Sequence, residues 1–101
     1  MVTIKFELNK DNIVKAGHTE QGLIDFLHRF YVDERKATEI GHLVYQRDDA
    51  NAMCDLSDIA TIMRYHPWFM DYFISCIWDV DEEVEDIIAE VKDYNRKYPL
   101  K

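Results

Sequence analysis

Carboxylates are the side chains of this 101-residue chain whose type and spacing could do chemistry. Twenty Asp and Glu residues stand against twelve Lys and Arg, a formal net charge of −8. On a helix, Glu82, Asp86, Glu90 and Asp93 would form one column, because residues three and four apart are neighbours. Such a column repels itself and attracts a Lys- or Arg-lined surface at long range. The chemistry indicated is recognition of a basic partner.

The acids are concentrated where cations are missing, because residues 65–91 contain no Lys or Arg. Acids near a helix N-terminus also complement the helix dipole, which would account for residues 79–83 but not for Glu90 and Asp93. Solubility is the other alternative, although a surface that serves solubility alone usually mixes both signs of charge. With two tryptophans as interface anchors, we predict this binding set: Asp79, Glu82, Glu83, Asp86, Glu90, Asp93, Trp78 and Trp68.

The sequence contains no motif that supports an enzyme as strongly as the acids support a binding protein. The spacing of Asp25 to His28 and of Glu39 to His42 resembles half of a di-metal carboxylate motif, but the further Glu ligands of such a site are missing. No serine lies in a nucleophile elbow, and the glycines form no phosphate-binding loop. We therefore expect no enzyme activity, no metal and no cofactor.

The two cysteines, Cys54 and Cys76, are too few for a disulfide scaffold, and we expect both to be small buried hydrophobic residues. We see no signal peptide or lipidation motif, so we expect a cytoplasmic protein. The negative charge disfavours direct binding of nucleic acid or of an anionic membrane.

The elements that must position these residues suggest an α+β fold, dominated by helices, in a single compact domain over residues 1–101. Residues 2–8 alternate between apolar and polar side chains and predict a half-buried strand. We expect it to pair with a second strand near residues 42–47, with continued helix as the alternative there. Asn9 and Thr19 can cap helices, and Gly17 can end the first of them.

The C-terminal half is predicted to be helical. Residues 48–65 form a helical region, which Asp55 or Ser57 could restart if it is broken. Pro67 begins a helix that is apolar all round through Trp78, and a last helix follows from Asp79. A strand over residues 72–80 competes with the apolar helix, because short apolar runs are ambiguous by periodicity. Facing stripes of the last two helices predict one shared core: Phe69, Phe73, Ile77, Val84, Ile88 and Val91.

Two functions are compatible with these patterns. The first is a small acidic protein-binding module, such as an inhibitor that imitates nucleic-acid phosphates and occupies a basic groove of its target. Small acidic proteins from phages and mobile elements that block nucleases, including inhibitors of CRISPR effectors, share this size and charge. The second is a structural or assembly protein that acts through the apolar helix, for example as a homodimer.

Overall fold

The alternating residues at the N-terminus form the central strand of a five-stranded antiparallel sheet, in a computed structural model that describes residues 1–100. The chain is 51% helical and 27% strand, which confirms the α+β class and the dominance of helix. The predicted domain boundary at residue 101 lies outside the described residues.

The elements follow one another closely along the chain. In order they are β1 (Val2–Leu8), α1 (Lys10–Lys15), α2 (Glu20–His28), a π-helical segment (Arg29–Glu34), β2 (Thr38–Gly41), β3 (Val44–Arg47), α3 (Ala52–Ser57), α4 (Ile59–Tyr65), a 3₁₀ helix (Pro67–Tyr72), β4 (Phe73–Val80), β5 (Glu83–Asp86) and α5 (Ile87–Lys97). The strand order in the sheet is β2-β3-β1-β4-β5.

The sheet has one covered face and one open face. In β1, every second residue from Val2 to Leu8 is buried, while Lys5 and Glu7 between them are exposed. The molecule measures 35 × 33 × 21 Å, and the thin dimension fits one sheet with one layer of helices about 10 Å thick. The helices therefore cover the buried face of the sheet and leave the other face open.

The predicted pairing of β1 with a strand near residues 42–47 is confirmed. Strand β3 pairs antiparallel with β1, so that Tyr45 lies opposite Ile4. The strand begins only at Val44, because the preceding Leu43 has φ of 58° and belongs to the turn after β2. Strand β2, at the edge of the sheet, lies in a segment for which the sequence predicted no strand.

The apolar helix predicted for residues 67–78 is wrong, and the competing strand is correct. Only a short 3₁₀ helix, Pro67–Tyr72, forms in this segment. Strand β4 follows it and pairs directly with β1, on the side opposite β3. Periodicity alone does not distinguish a helix from a strand in a short apolar run. The edge of β1 that β3 leaves unpaired selects the strand. In β4, Cys76 lies opposite Phe6, and both are buried.

The last helix begins at Ile87, several residues later than predicted. The preceding residues instead form β5, which makes a two-residue hairpin with β4. Asp81 and Glu82 form the turn with φ of 50° and 71°, the left-handed pair that a type I′ turn requires. Asp79, from which the last helix was expected to follow, stabilises this turn instead, because Glu82 N donates to Asp79 Oδ1 at 3.0 Å.

The predicted six-residue core is only partly correct. Phe69, Phe73 and Val91 are buried, and Ile88 packs against the core from a half-buried position. Ile77 is wrong, because it lies opposite the exposed Lys5 on the open face of the sheet. Val84 is wrong too, since its side chain is 64% exposed on the same face. The error follows from assigning it to a helix, where periodicity would have placed it on the inner stripe.

The N-terminal helix signals are confirmed. Asn9 and Thr19 accept hydrogen bonds from Asn12 N and Gly22 N, and Gly17 ends the first helical stretch with φ of 82°. Farther along, the helical region predicted for residues 48–65 begins only at Ala52 and is broken into α3 and α4, with the restart after Asp58 and not at Asp55 or Ser57.

The two cysteines have different environments. Cys76 is buried as expected, but Cys54 is exposed, which contradicts that part of the prediction. Both are free thiols.

Candidate functional site

The four acids predicted to form one helical column lie on three different elements. Glu82 occupies the hairpin turn, Asp86 ends β5, and only Glu90 and Asp93 lie in α5. Asp86 Oδ1 accepts a hydrogen bond from Ala89 N at 3.1 Å and so caps α5. The prediction that these four acids form a column on one helix is therefore wrong, because residues 80–86 form a hairpin and the helix begins only at Ile87.

Asp93 is separated from the other acids by its own ion pairs. Its carboxylate contacts the Arg96 guanidinium and lies 3.1 Å from Lys97 Nζ. These two cations hold the pKa of Asp93 below its usual value, with the Lys97 hydrogen bond as the largest cause. Asp93 is thus neutralised within α5 and contributes little to an acidic surface.

The register of the hairpin sorts the remaining acids between the two faces of the sheet. Glu85 lies opposite Trp78, whose side chain is buried, and Glu83 shares that face because strand side chains alternate. Asp79 lies opposite Val84 on the open face. Two carboxylates of β5 are thereby directed to the helical side of the sheet.

Glu83 and Glu85 line a cleft beside the helices, which we call the acidic cleft. Its volume is about 240 Å³, and Glu90 of α5 adds a third carboxylate to its wall. The apolar part of the wall includes the buried ring of Trp78. The complete lining is Met53, Ser57, Ala60, Trp78, Val80, Glu83, Glu85, Ile87, Glu90 and Val91.

A second cavity of about 410 Å³ adjoins the acidic cleft between α4 and α5, and we call it the tyrosine groove. The two cavities share Ala60, Glu90 and Val91. Tyr65 and Tyr94 form its aromatic walls and are 60% and 51% exposed. Its remaining lining residues are Thr61 and Arg64.

Arg64 is held in place between the two aromatic walls. Its guanidinium lies 4.7 Å from the centroid of the Tyr94 ring and 5.8 Å from that of Tyr65. Nη1 also donates to Asn95 Oδ1, while Asn95 Nδ2 donates to the Arg64 carbonyl at 3.4 Å. These contacts tie α4 to α5 and fix the position of a cation at this end of the groove.

The electrostatics of the acidic cleft show like charges brought together. Partial burial raises the pKa of the Glu90 carboxyl above its ordinary value, and the neighbouring Glu85 raises it further. Asp86 contributes in the same direction. A carboxylate that resists ionisation in this way favours a bound cation that would compensate the local charge.

Most acids of the hairpin have no cationic partner. Among residues 1–100, Asp81 is the one hairpin acid in an ion pair, at 3.0 Å from the amino group of Met1, which also lies 3.2 Å from Asp48. The hairpin acids without an ion pair to any of those residues are Asp79, Glu82, Glu83, Glu85 and Asp86, and Glu90 of α5 beside them also has none.

The two predicted tryptophan anchors occupy very different positions. Trp78 is only 7% exposed and packs in the core, so it can touch a ligand only from the wall of the acidic cleft. Trp68 is 57% exposed on the 3₁₀ helix, where its ring lies 5.7 Å from His66. Trp68 does not line the acidic cleft or the tyrosine groove.

Three residues of the site were missed by sequence reasoning. Glu85 is outside the predicted binding set, and it does not lie on the predicted helical column of Glu82, Asp86, Glu90 and Asp93. Arg64 and Tyr94 were assigned no binding role. The spacing of Glu90 and Tyr94 by four residues could have indicated a shared helix face.

The other constellations tested in the sequence are structural. His28 Nδ1 lies 2.9 Å from Glu39 Oε2, which joins α2 to β2, and Asp25 instead accepts a hydrogen bond from Gln21. Within residues 1–100, no three His, Cys, Asp or Glu side chains are grouped to hold a metal ion. Burial raises the pKa of the Cys76 thiol, which disfavours the reactive thiolate.

The geometry defines an α+β protein with an open sheet face and an acidic cleft that continues into an aromatic groove. Compared with known proteins, the chain matches no family model, no curated protein and no solved structure. Over residues 1–100, every helix is too short or too polar to cross a lipid bilayer.

Proposed function

We propose that this protein is a binding module that docks on a basic surface of another protein. It does so through the acidic hairpin surface, which we define as Asp79, Asp81, Glu82, Glu83, Glu85, Asp86 and Glu90. The observation that carries the proposal is the clustering of these carboxylates, which form no ion pair with a Lys or Arg of residues 1–100. Partial burial, and after it the neighbouring Glu85, raises the pKa of Glu90. Like charges so placed oppose folding, and a partner's cations would compensate them.

The proposed action is inhibition by occupation of a nucleic-acid-binding groove. A groove that binds phosphates is lined by Lys and Arg, and carboxylates can accept the same charge-assisted hydrogen bonds. The net charge of −8 would accelerate association with such a groove at low ionic strength. The bound module would then exclude the nucleic acid from its target.

The alternative of assembly through an apolar helix loses its basis in the fold. Residues 67–78 do not form that helix, and most of their large side chains are buried, with Trp68 and Ile74 as the exposed ones. We therefore retain the acidic binding module alone.

The test begins with a basic nucleic-acid-binding protein captured from a lysate at low salt and then purified. Its affinity for the wild-type module is measured at about 50 mM and about 300 mM NaCl. The double variant Glu83→Lys, Glu85→Lys should abolish binding, because both side chains face the acidic cleft. Asp86 and Glu82 are unsuitable for this test, since one caps α5 and the other forms a strained turn.

The matched control is the double variant Glu7→Lys, Asp33→Lys, which reverses the same number of carboxylates at two exposed residues outside the acidic hairpin surface. It should bind with nearly wild-type affinity. The module should also compete with a nucleic acid for the target. Wild-type affinity of the folded double variant, or simultaneous binding of module and nucleic acid, would contradict the proposal.

A further inference from the structure

We propose that the acidic cleft and the tyrosine groove together form one docking groove for an extended segment of the partner protein. The segment carries a Lys or Arg, which enters the acidic cleft, and an aromatic or aliphatic side chain, which lies in the tyrosine groove. This inference rests on the proposed function and specifies how a partner is recognised.

The continuity of the two cavities supports a single occupant. They share Ala60, Glu90 and Val91, so a chain can pass from one to the other over the apolar Ala60 and Val91 and beside the Glu90 carboxylate. The larger cavity, about 410 Å³, falls in the size range of ligand-binding pockets. It offers ample room for one side chain of the segment.

Charge and exposure define what each end accepts. Three carboxylates, those of Glu83, Glu85 and Glu90, line the cleft and have no ion-pair partner within residues 1–100, so this end fits a cation. At the other end Tyr65 and Tyr94 expose more than half of their surface. Exposed tyrosines beside an arginine are the residue types that most often carry binding energy at protein interfaces.

Arg64 favours an extended segment over a helix as the occupant. In the described part of the chain, Nη1 is the one guanidinium nitrogen that donates to a protein acceptor, so the donors on Nε and Nη2 are free. Main-chain carbonyls of an extended segment could accept these hydrogen bonds. The carbonyls of a helix interior are already bonded within the helix.

The spacing of the two side chains follows from α5. Glu90 and Tyr94 are four residues apart, a rise of about 6 Å along the helix. In an extended segment, every second side chain points the same way at intervals of about 6.6 Å. The recognised pattern is therefore a cationic residue followed or preceded, two positions away, by an aromatic or aliphatic residue.

The experiment is selection of a phage-displayed library of random linear heptapeptides on the immobilised wild-type protein. Enriched peptides should share a Lys or Arg and a large apolar residue two positions apart. Their affinities, measured by fluorescence anisotropy, should fall roughly tenfold or more for Tyr94→Ala or Tyr65→Ala. Trp68→Ala is the matched control, because it removes an equally exposed aromatic outside the groove, and it should leave the affinity unchanged.

Several results would overturn the inference. These are enriched peptides without the two-residue spacing, a spacing of three or four residues typical of a helix, or equal losses in Trp68→Ala and Tyr94→Ala. A dimer by sedimentation that dissociates in Tyr94→Ala would make a second copy the occupant and would also refute it. Circular dichroism establishes that each variant is folded before its affinity is compared.

The two proposals fail in distinguishable ways. If Glu83→Lys, Glu85→Lys abolishes binding of the basic partner while Tyr94→Ala and Tyr65→Ala leave it unchanged, the acidic hairpin surface acts alone and the docking groove is refuted. If the charge-reversed double variant binds like wild type, the proposed function fails, and the groove fails with it.

Discussion

Two stacked tyrosines in the core have hydroxyl groups in opposite situations. The rings of Tyr31 and Tyr45 lie 4.9 Å apart and nearly parallel, and both side chains are fully buried. Tyr31 Oη donates to the Leu56 carbonyl at 3.1 Å, whereas Tyr45 Oη is buried without a hydrogen-bond partner. A buried polar atom without a partner loses its hydration and gains nothing in return.

Removing each hydroxyl should therefore change stability in opposite directions. We expect Tyr45→Phe to raise the free energy of unfolding by about 1 kcal/mol, and Tyr31→Phe to lower it by about 1 kcal/mol. Urea denaturation of both variants beside the wild type measures the difference. A loss of stability in Tyr45→Phe would show that its hydroxyl is satisfied in solution.

The raised pKa of Glu90 predicts how the stability of the protein depends on pH. Its pKa in the folded protein is raised above the ordinary value of 4.5, first by desolvation and then by Glu85. The folded state then binds its proton more tightly than the unfolded state, so stability must fall as pH rises from 4.5 through the folded pKa. Asp49 and Asp93 have lowered pKa values and act in the opposite direction, at pH below 3.8.

Glu90→Gln should remove part of this loss. We expect the difference in unfolding free energy between pH 4.5 and about pH 7 to be smaller in this variant than in the wild type. Glu7→Gln, which makes the same charge change on the open face of β1, is the control. An equal pH dependence in wild type and Glu90→Gln would show that Glu90 does not titrate abnormally.

At the scale of elements, the β4–β5 hairpin places the predicted acids on a turn, a strand and a helix in place of one helix. Its turn holds Asp81 and Glu82 in the left-handed region, where a side chain normally costs about 1–2 kcal/mol. Most such turns use Asn and Gly, which tolerate this conformation. The hairpin therefore lacks its usual sequence signature.

Glycine in this turn should stabilise the protein. We expect Glu82→Gly to exceed Glu82→Ala in unfolding free energy by about 1 kcal/mol, because both remove the carboxylate but only glycine relieves the strain. Thermal denaturation of the pair measures this difference. Equal stability of the two variants would mean that the turn is not left-handed at Glu82.

At the scale of the whole molecule, charge opposes folding. The net charge of −8 is concentrated on one edge of the sheet, where β5 exposes all four of its residues. Charge on an edge strand also prevents pairing with another sheet edge. The acidic edge therefore opposes edge-to-edge pairing between copies of the chain.

Salt should consequently stabilise the folded protein. We expect the melting temperature to rise between about 10 mM and about 150 mM NaCl, because the Debye length falls from about 30 Å to about 8 Å and the repulsion between the acids is screened more strongly. The variant Glu83→Lys, Glu85→Lys should melt higher than wild type at low salt and respond less to added salt. A variant less stable than wild type at low salt would show that these carboxylates do not repel one another.

The sequence by itself determined the features that depend on local interactions. The alternation in residues 2–8, the caps at Asn9 and Thr19, and the left-handed Gly17 were predicted correctly, because each depends on neighbours within a few residues. Net charge and the cation-free stretch 65–91 are likewise properties of composition. They indicated an acidic surface without giving its shape.

Only the tertiary structure decided the conformation of residues 67–86. The apolar run could form a helix or a strand, and the vacant edge of β1 selected the strand. That choice placed β5 at the edge, delayed α5 to Ile87 and dispersed the predicted column. Glu85, Arg64 and Tyr94 meet at one groove because packing brings β5, α4 and α5 together, and no spacing along the chain encodes that contact.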